Sequence, residues 1–115
     1  MNEPSEDALR ERYGPRLLAE ADERRAASSG TAANRKPVEL DQQSVGRLSR
    51  MDALQQQAMA TAQDTRRRGR LKAIDAALRR LDDGDFGWCA DCGTYIGTER
   101  LDLDPLLVRC VDCAR

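Results

Sequence analysis

Four cysteines in two Cys-x-x-Cys pairs are the residues of this sequence best suited to chemistry. Cys89 and Cys92 form the first pair, Cys110 and Cys113 form the second, and seventeen residues separate the pairs. Pairs separated by about 15–20 residues are typical of a zinc site with four thiolate ligands. Four thiolates complete the tetrahedron around Zn²⁺ and leave no open position for a reactive water. The spacing therefore predicts one structural zinc ion and no catalytic centre.

Two other uses of the cysteines must be weighed against zinc. Two disulfides would require an oxidising compartment, yet residues 1–7 are acidic and lack the apolar core of a signal peptide. A redox-active Cys-x-x-Cys would require a βαβ pattern, which the surrounding sequence does not offer. We therefore favour the zinc site.

The composition indicates a small, helical, cytoplasmic protein. Aromatic residues make up only 3% of the 115 residues, and the 40% hydrophobic content is mostly Ala and Leu, which suits thin seams between helices. Nineteen basic and twenty acidic residues give a net charge of −1, so no overall field attracts nucleic acid. No apolar run approaches the roughly 20 residues that span a bilayer.

A first helix is predicted to run from a cap at Ser5 to about Ala27. Its apolar residues recur every four positions: Leu9, Tyr13, Leu17 and Ala21. Gly14-Pro15 predicts a kink or a late start, because proline lacks the N–H that a helix interior uses. Ser, Gly, Asn and Pro then mark a flexible loop near residues 28–40.

A second helix is predicted from about Asp41 to about Leu81, with Gly84 just beyond its end. One stripe at helical spacing comprises Val45, Leu48, Met51, Gln55, Met59 and Ala62, and a second comprises Leu71, Ile74, Leu78 and Leu81. We expect the first helix to fold back on the upper part, which leaves the second stripe for the zinc knuckles or another chain. The predicted fold is mainly α: an antiparallel helical hairpin (coiled coil) over residues 1–83, followed by a small four-cysteine zinc finger over residues 84–115.

A cluster of arginines lies between the two apolar stripes, where the helical periodicity of the first stripe does not continue into the second. Its main members are Arg66, Arg67, Arg68 and Arg70. They could contact carboxylates or phosphates of a partner. We favour a solvated helix surface in which they pair with nearby aspartates such as Asp64 at three- or four-residue spacing.

The run 78–96, followed by Arg100-Leu101, Pro105, Cys110 and Cys113, resembles the DksA/TraR family of bacterial zinc-finger transcription regulators. The resemblance implies a coiled coil whose tip enters the secondary channel of RNA polymerase and holds acidic residues near the catalytic centre. It also implies a regulator that is not an enzyme, that often acts with ppGpp and that makes no sequence-specific DNA contacts.

The family's tip motif, Asp-x-x-Asp-x-Ala, does not occur in this sequence. The nearest acidic candidates are Glu39, Asp41 and Asp52, and a helix cap at Asp41 or a solvated position at Asp52 is an equally good interpretation. Two other classes of function also remain: a nucleic-acid-binding zinc module and a zinc-stabilised helical scaffold that dimerises through the Leu71–Leu81 seam.

Overall fold

The computed structural model describes residues 3–35 and 47–114, which are mostly helical. Helix α1 spans Glu6–Gly30 and is followed by a 3-10 helix at Ala32–Arg35, while α2 spans Arg47–Asp83 and the short α3 spans Thr98–Leu103. None of these helices is long and apolar enough to cross a membrane. The predicted fold, long helices ahead of a four-cysteine finger, is confirmed.

Contacts group the chain into two units. The finger unit comprises residues 1–22 and 71–115, and the middle unit comprises residues 23–70. The finger unit therefore combines two segments that are distant in the sequence, whereas the middle unit is one continuous stretch. The division at residue 83 into a hairpin and a finger stays a prediction.

The finger unit has its core where the first half of α1 meets the end of α2. Arg10 Nε donates a hydrogen bond to Leu81 O at 3.1 Å, and Arg10 Nη2 donates to Asp82 O at 3.3 Å. Both carbonyl groups belong to the last turn of α2, where a helix has no backbone N–H left to donate to them. The two helices run antiparallel here. The buried apolar residues are Leu9, Tyr13, Leu17, Ala21, Ile74, Ala77, Leu81, Phe86, Ile96 and Leu101. The Leu71–Leu81 face thus packs against α1 as well as against the finger.

Local sequence signals account for the ends of the helices. The N–H of Ala8 donates to Ser5 Oγ at 3.1 Å, as predicted for a cap. Gly84 has φ +83°, and the N–H of Asp85 donates to Arg80 O at 2.9 Å, which closes α2 in a Schellman turn. The predicted late start at Gly14-Pro15 is wrong, since α1 includes both residues. Burial of the α1 stripe on both sides of Pro15 stabilises the helix there.

The middle unit is organised around one buried carboxylate. Asp64 is 3% exposed and accepts a hydrogen bond from Ser28 Oγ at 2.7 Å. Three arginines surround it, with Arg68 Nε at 2.9 Å, Arg35 Nε at 3.4 Å and Arg67 Nη2 at 3.5 Å. These contacts explain why residues 28–35, predicted as a flexible loop, instead form the last turn of α1 and a 3-10 helix.

The described side chains of the first predicted stripe of α2 are exposed. Met51 is 54% exposed and Met59 is 63% exposed. Gln55 and Ala62 are exposed as well, so the expectation that the first helix packs on this stripe is wrong. Val45 lies outside the described residues. Helix α1 lies instead against the opposite side of α2, at Asp64.

Within the finger unit, a group of polar contacts around Asp102 joins α1 to α3; we call it the polar clamp. Asp102, on α3, accepts hydrogen bonds from Arg12 Nε and from the Tyr13 hydroxyl, both at 2.9 Å, and Arg16 Nη1 donates to Asp102 O at 2.7 Å. The Arg12 guanidinium, followed by the Tyr13 hydroxyl, lowers the pKa of Asp102 from 3.8 to about 2. Burial and the hydrogen bond to Asp102 raise the pKa of Tyr13 to about 12.

We expect Asp102 to make the free energy of unfolding depend on pH between 3.8 and about 2. A carboxylate whose folded pKa is lowered stabilises the fold above its unfolded pKa, and this contribution is lost as the pH falls through the folded pKa. Asp102→Asn should therefore lose less stability than the parent chain over this interval, as measured by denaturant unfolding. The two proteins share every other acid-sensitive group, so an equal loss in both would contradict the assignment.

Tyr13→Phe removes one hydrogen bond to Asp102 and should cost about 0.5–1.5 kcal/mol at neutral pH.

Candidate metal centre

The first cysteine pair lies in a turn that follows α2 directly. The N–H of Cys89 donates to Thr94 O at 2.8 Å, and the N–H of Ile96 donates to Gly87 O at 2.7 Å. An isolated antiparallel bridge links Trp88 and Tyr95 between these bonds. The chain therefore folds back on itself around Cys89, which holds the first pair of sulfurs at the closed end of a short hairpin.

The second pair repeats the same turn. The N–H of Gly93 donates to Cys89 O at 2.9 Å, and the N–H of Ala114 donates to Cys110 O at 3.0 Å. Gly93 has φ +76°, a conformation that favours glycine. A hydrogen bond from the N–H of Ala90 to Val108 O, at 2.8 Å, joins the two pairs. Both knuckles thus face a common point.

The four sulfurs converge at that point. The Sγ atoms of Cys89, Cys92, Cys110 and Cys113 all lie within 4.8 Å of one another. The Sγ atoms of Cys92 and Cys110 are 3.6 Å apart. A tetrahedron with Zn–S distances of roughly 2.3 Å has S–S edges of about 3.8 Å. The arrangement fits Zn²⁺, whereas a disulfide requires sulfurs about 2.05 Å apart, and all four cysteines are free thiols.

The peptide groups around the sulfurs favour thiolates at two of the four positions. Hydrogen bonds from the backbone of Cys110 and then of Cys92 lower the pKa of Cys89 to about 6. The backbone of Cys113 lowers the pKa of Cys110, while the neighbouring cysteine side chains, Cys110 first, raise the pKa of Cys113. A metal ion that displaces the remaining protons would therefore find two ligands already prepared for ionisation.

Groups outside the sulfurs hold the knuckles in place. Thr94 Oγ1 lies 3.0 Å from Cys92 Sγ, where its hydroxyl can donate to a thiolate. Arg80 Nη2 donates to Trp88 O at 2.7 Å and to Asp85 O at 3.2 Å, so the end of α2 fixes the approach to the first knuckle. Phe86 is 2% exposed and belongs to the core that supports the knuckles, and the half-buried Tyr95 packs against that core.

The basic candidates belong to the middle unit, and the four cysteines belong to the finger unit. Arg67 is largely buried and donates to Ser28 Oγ at 3.2 Å and to Thr31 Oγ1 at 3.0 Å. Arg68 pairs with Asp64, as favoured from the sequence, while its side chain stays 72% exposed. Arg66 is exposed and Arg70 is half-buried.

Among the acidic candidates, Asp52 is exposed on α2. Glu39 and Asp41 lie outside the described residues. Sequence reasoning paired Asp64 with the arginines of its own helix, but it did not find the contact between Asp64 and Ser28 or the contact between Asp102 and Arg12. Both contacts join residues far apart in the chain, and no local pattern marks them.

The chain matches known proteins in two ways. Residues 84–115 match the model of a family described as the prokaryotic dksA/traR C4-type zinc finger. Two relatives align with 48 residues of the chain, which are 42% of its length. Over these residues the chain is 46% identical to the RNA polymerase-binding transcription factor DksA of Haemophilus influenzae and 42% identical to that of Escherichia coli K12. These alignments cover about a third of the relatives' length, 33% and 32%.

The likeness in structure extends further along the chain. The transcription factor DksA2 of Pseudomonas aeruginosa has a similar fold with a TM-score of 0.77 and 26% sequence identity, and the match covers 93% of this chain and 81% of that chain. The helices are therefore shared as well as the finger. Together with the convergent cysteines, these findings show that residues 84–115 are a zinc finger of the DksA/TraR family and that the chain shares its fold with DksA2.

Proposed function

We propose that the chain is an RNA polymerase-binding transcription regulator of the DksA/TraR type that works in the cytoplasm. The observation that carries the proposal is the fold shared with DksA2 over 93% of the chain, because it includes the long helices and not only the finger. The names of the relatives supply the partner, RNA polymerase. The regulator acts by protein contact and catalyses no reaction.

The zinc in this proposal is structural. Cys89, Cys92, Cys110 and Cys113 hold one ion, and their convergence within 4.8 Å supports the assignment. The ion supplies a cross-link between two knuckles that share little apolar surface. The residues of the finger, in turn, position the first half of α1 through Phe86, Leu101 and Asp102.

The helices supply the contact with polymerase. In the proposed mechanism, they enter the secondary channel and bring acidic side chains towards the catalytic centre. Asp52 is supported as a candidate by its exposure on α2. Glu39 and Asp41 are candidates from their place in the sequence, and ppGpp is a possible second ligand of the complex.

Core RNA polymerase should retain the chain in a pull-down, and nuclease treatment should leave the retention unchanged. Direct protein contact does not require a nucleic-acid bridge, which is the physical basis of this prediction. Loss of retention after nuclease treatment would favour the nucleic-acid-binding module. No retention, with a dimer in solution by light scattering, would favour the helical scaffold.

Replacing one zinc ligand should lower metal content from one ion per chain. In Cys92→Ser or Cys110→Ser the site loses a thiolate, so the finger should unfold while much of the far-UV helical signal remains, since α1 and α2 lie mostly outside it. Metal analysis and circular dichroism measure the two effects. Full zinc content in both variants would rule out the four-cysteine site.

The acidic candidates are tested by charge removal without loss of capping. Asn caps helices about as well as Asp, so Asp41→Asn should change transcription from a responsive promoter and leave polymerase affinity and zinc content nearly unchanged. Asp41→Ala serves as the stability control, because losing a cap costs roughly 0.5–2 kcal/mol. If Asp41→Asn, Asp52→Asn and Glu39→Gln all preserve the effect on transcription, an acidic-tip mechanism is excluded.

A further inference from the structure

An open groove lies between α1 and α2 within the finger unit. It has a volume of about 390 Å³ and is lined by Arg10, Gly14, Leu18, Leu78, Leu81 and Asp82. Arg12 and Arg16, which contact α3, are each two positions from Gly14 and therefore lie on the other side of α1. The groove is thus separate from the polar clamp. We call it the Gly14 groove.

The interior of the Gly14 groove is apolar and unfilled. Leu18 is 54% exposed, Leu78 is half-buried, and Leu81 belongs to the core. A Cβ atom added at Gly14 would meet nothing within 4 Å. No side chain of the described residues therefore fills the space above Gly14, and Leu18 leaves apolar surface in water beside it.

The Gly14-Pro15 pair keeps this part of α1 bare. Within a helix, a Cβ atom on the residue before proline would clash with the proline ring, so glycine is the residue that fits at position 14. Pro15 has no N–H, and the Glu11 carbonyl therefore lacks the donor that a helix normally supplies to it. Because Glu11 is three residues from Gly14, this backbone acceptor lies near the edge of the groove.

Negative charge surrounds the groove. The charged residues of α1 and α2 that lie three, four or seven positions from Gly14 or Leu78 are Asp7, Arg10, Glu11, Asp75 and Asp82. Arg10 is the basic member of this set, and it already donates to two carbonyl groups of α2 and to two carboxylates of α1. The finger unit as a whole has nine Arg and Lys residues and fifteen Asp and Glu residues, a net charge of −6. The groove therefore favours a positively charged partner.

We propose that the Gly14 groove docks a basic helix of a partner protein. One apolar side chain of that helix fills the space above Gly14 and covers Leu18, while its lysine or arginine side chains pair with Glu11 and Asp82. Two antiparallel helices present the ridges and grooves into which a third helix packs, and an amphipathic helix binds an apolar groove through a few such anchors. The inference goes beyond the proposed function and does not depend on it.

Other occupants fit the groove less well. Nucleic acid and anionic lipid surfaces would be repelled by the net charge of −6 on the finger unit. A second copy that docked through the same groove would bring two such units together. Docking on the middle unit of a second copy would avoid that repulsion, but it would be a heterologous contact that builds open chains unless its rotation closes a ring.

The test uses a fluorescent helical peptide of about 18 residues, built from alanine, lysine and leucine with the leucines on one face. Its dissociation constant for each full-length, zinc-loaded variant is measured by anisotropy at low and high salt. We expect a loss of about fivefold for Leu18→Gln at both salt concentrations, because apolar burial is not screened. The matched variant Leu103→Gln, at a position that is 84% exposed in the same unit, should change the constant by less than about twofold.

The charged rim is tested in the same way. Asp82→Lys should weaken binding of the peptide about tenfold at low salt and less at high salt. Glu99→Lys makes a similar change of charge at an exposed position of α3 and should have an effect within about twofold. Zinc content and far-UV circular dichroism should match the parent chain in all four variants, because the replaced side chains are exposed.

Two control peptides complete the experiment. Replacing the leucines with glutamine should weaken binding to the parent chain, and replacing the lysines with glutamate should abolish it. The docking groove is overturned if the parent chain does not bind the lysine–leucine peptide, or if Leu103→Gln and Glu99→Lys weaken binding as much as their counterparts. Self-association, or binding to anionic vesicles, that Leu18→Gln abolishes would assign the groove to another occupant and would also refute the proposal. None of these outcomes bears on retention by RNA polymerase, so the proposed function stands or fails separately.

Discussion

The finger is too small to be stable through apolar burial alone. Residues 84–114 bury only three large apolar side chains, those of Phe86, Ile96 and Leu101, and a segment of that length rarely folds on apolar burial alone. The finger gains further stability from two sources: a metal ion bound by the convergent sulfurs, and apolar contacts with the first half of α1. Tyr13 is central to the second, since it is fully buried, lies 5.1 Å from the Phe86 ring and donates to Asp102.

Charge has different roles in the two units. In the finger unit, Asp102 is shared by Arg12 and Tyr13 at a partly exposed position, so the clamp orients α3 on α1. In the middle unit, Asp64 is buried and three arginines approach it, which leaves the cluster positive. A buried carboxylate stripped of those partners would be costly. The arginines named as contact candidates therefore include two, Arg67 and Arg68, that stabilise the unit itself.

Local patterns predicted the parts of the structure that local chemistry determines. The cysteine spacing, the cap at Ser5, the turn at Gly84 and the α1 stripe are all confirmed, because each depends on residues a few positions apart. Contacts between distant residues were missed. Ser28 and Asp64 are 36 residues apart, and Arg12 and Asp102 are 90 apart. Periodicity placed Met51 and Met59 on one side of α2 correctly, but it carries no information on whether another element covers that side.

The only tryptophan of the chain, Trp88, immediately precedes the first knuckle. Its ring is half-buried and lies 5.4 Å from Tyr95 at an angle of 60°, and Arg80 binds its carbonyl. The indole therefore senses the packing of the finger and lies outside the middle unit. Its fluorescence gives the chain a built-in optical signal for the state of the metal site, readable without a label in the presence of any partner that lacks tryptophan.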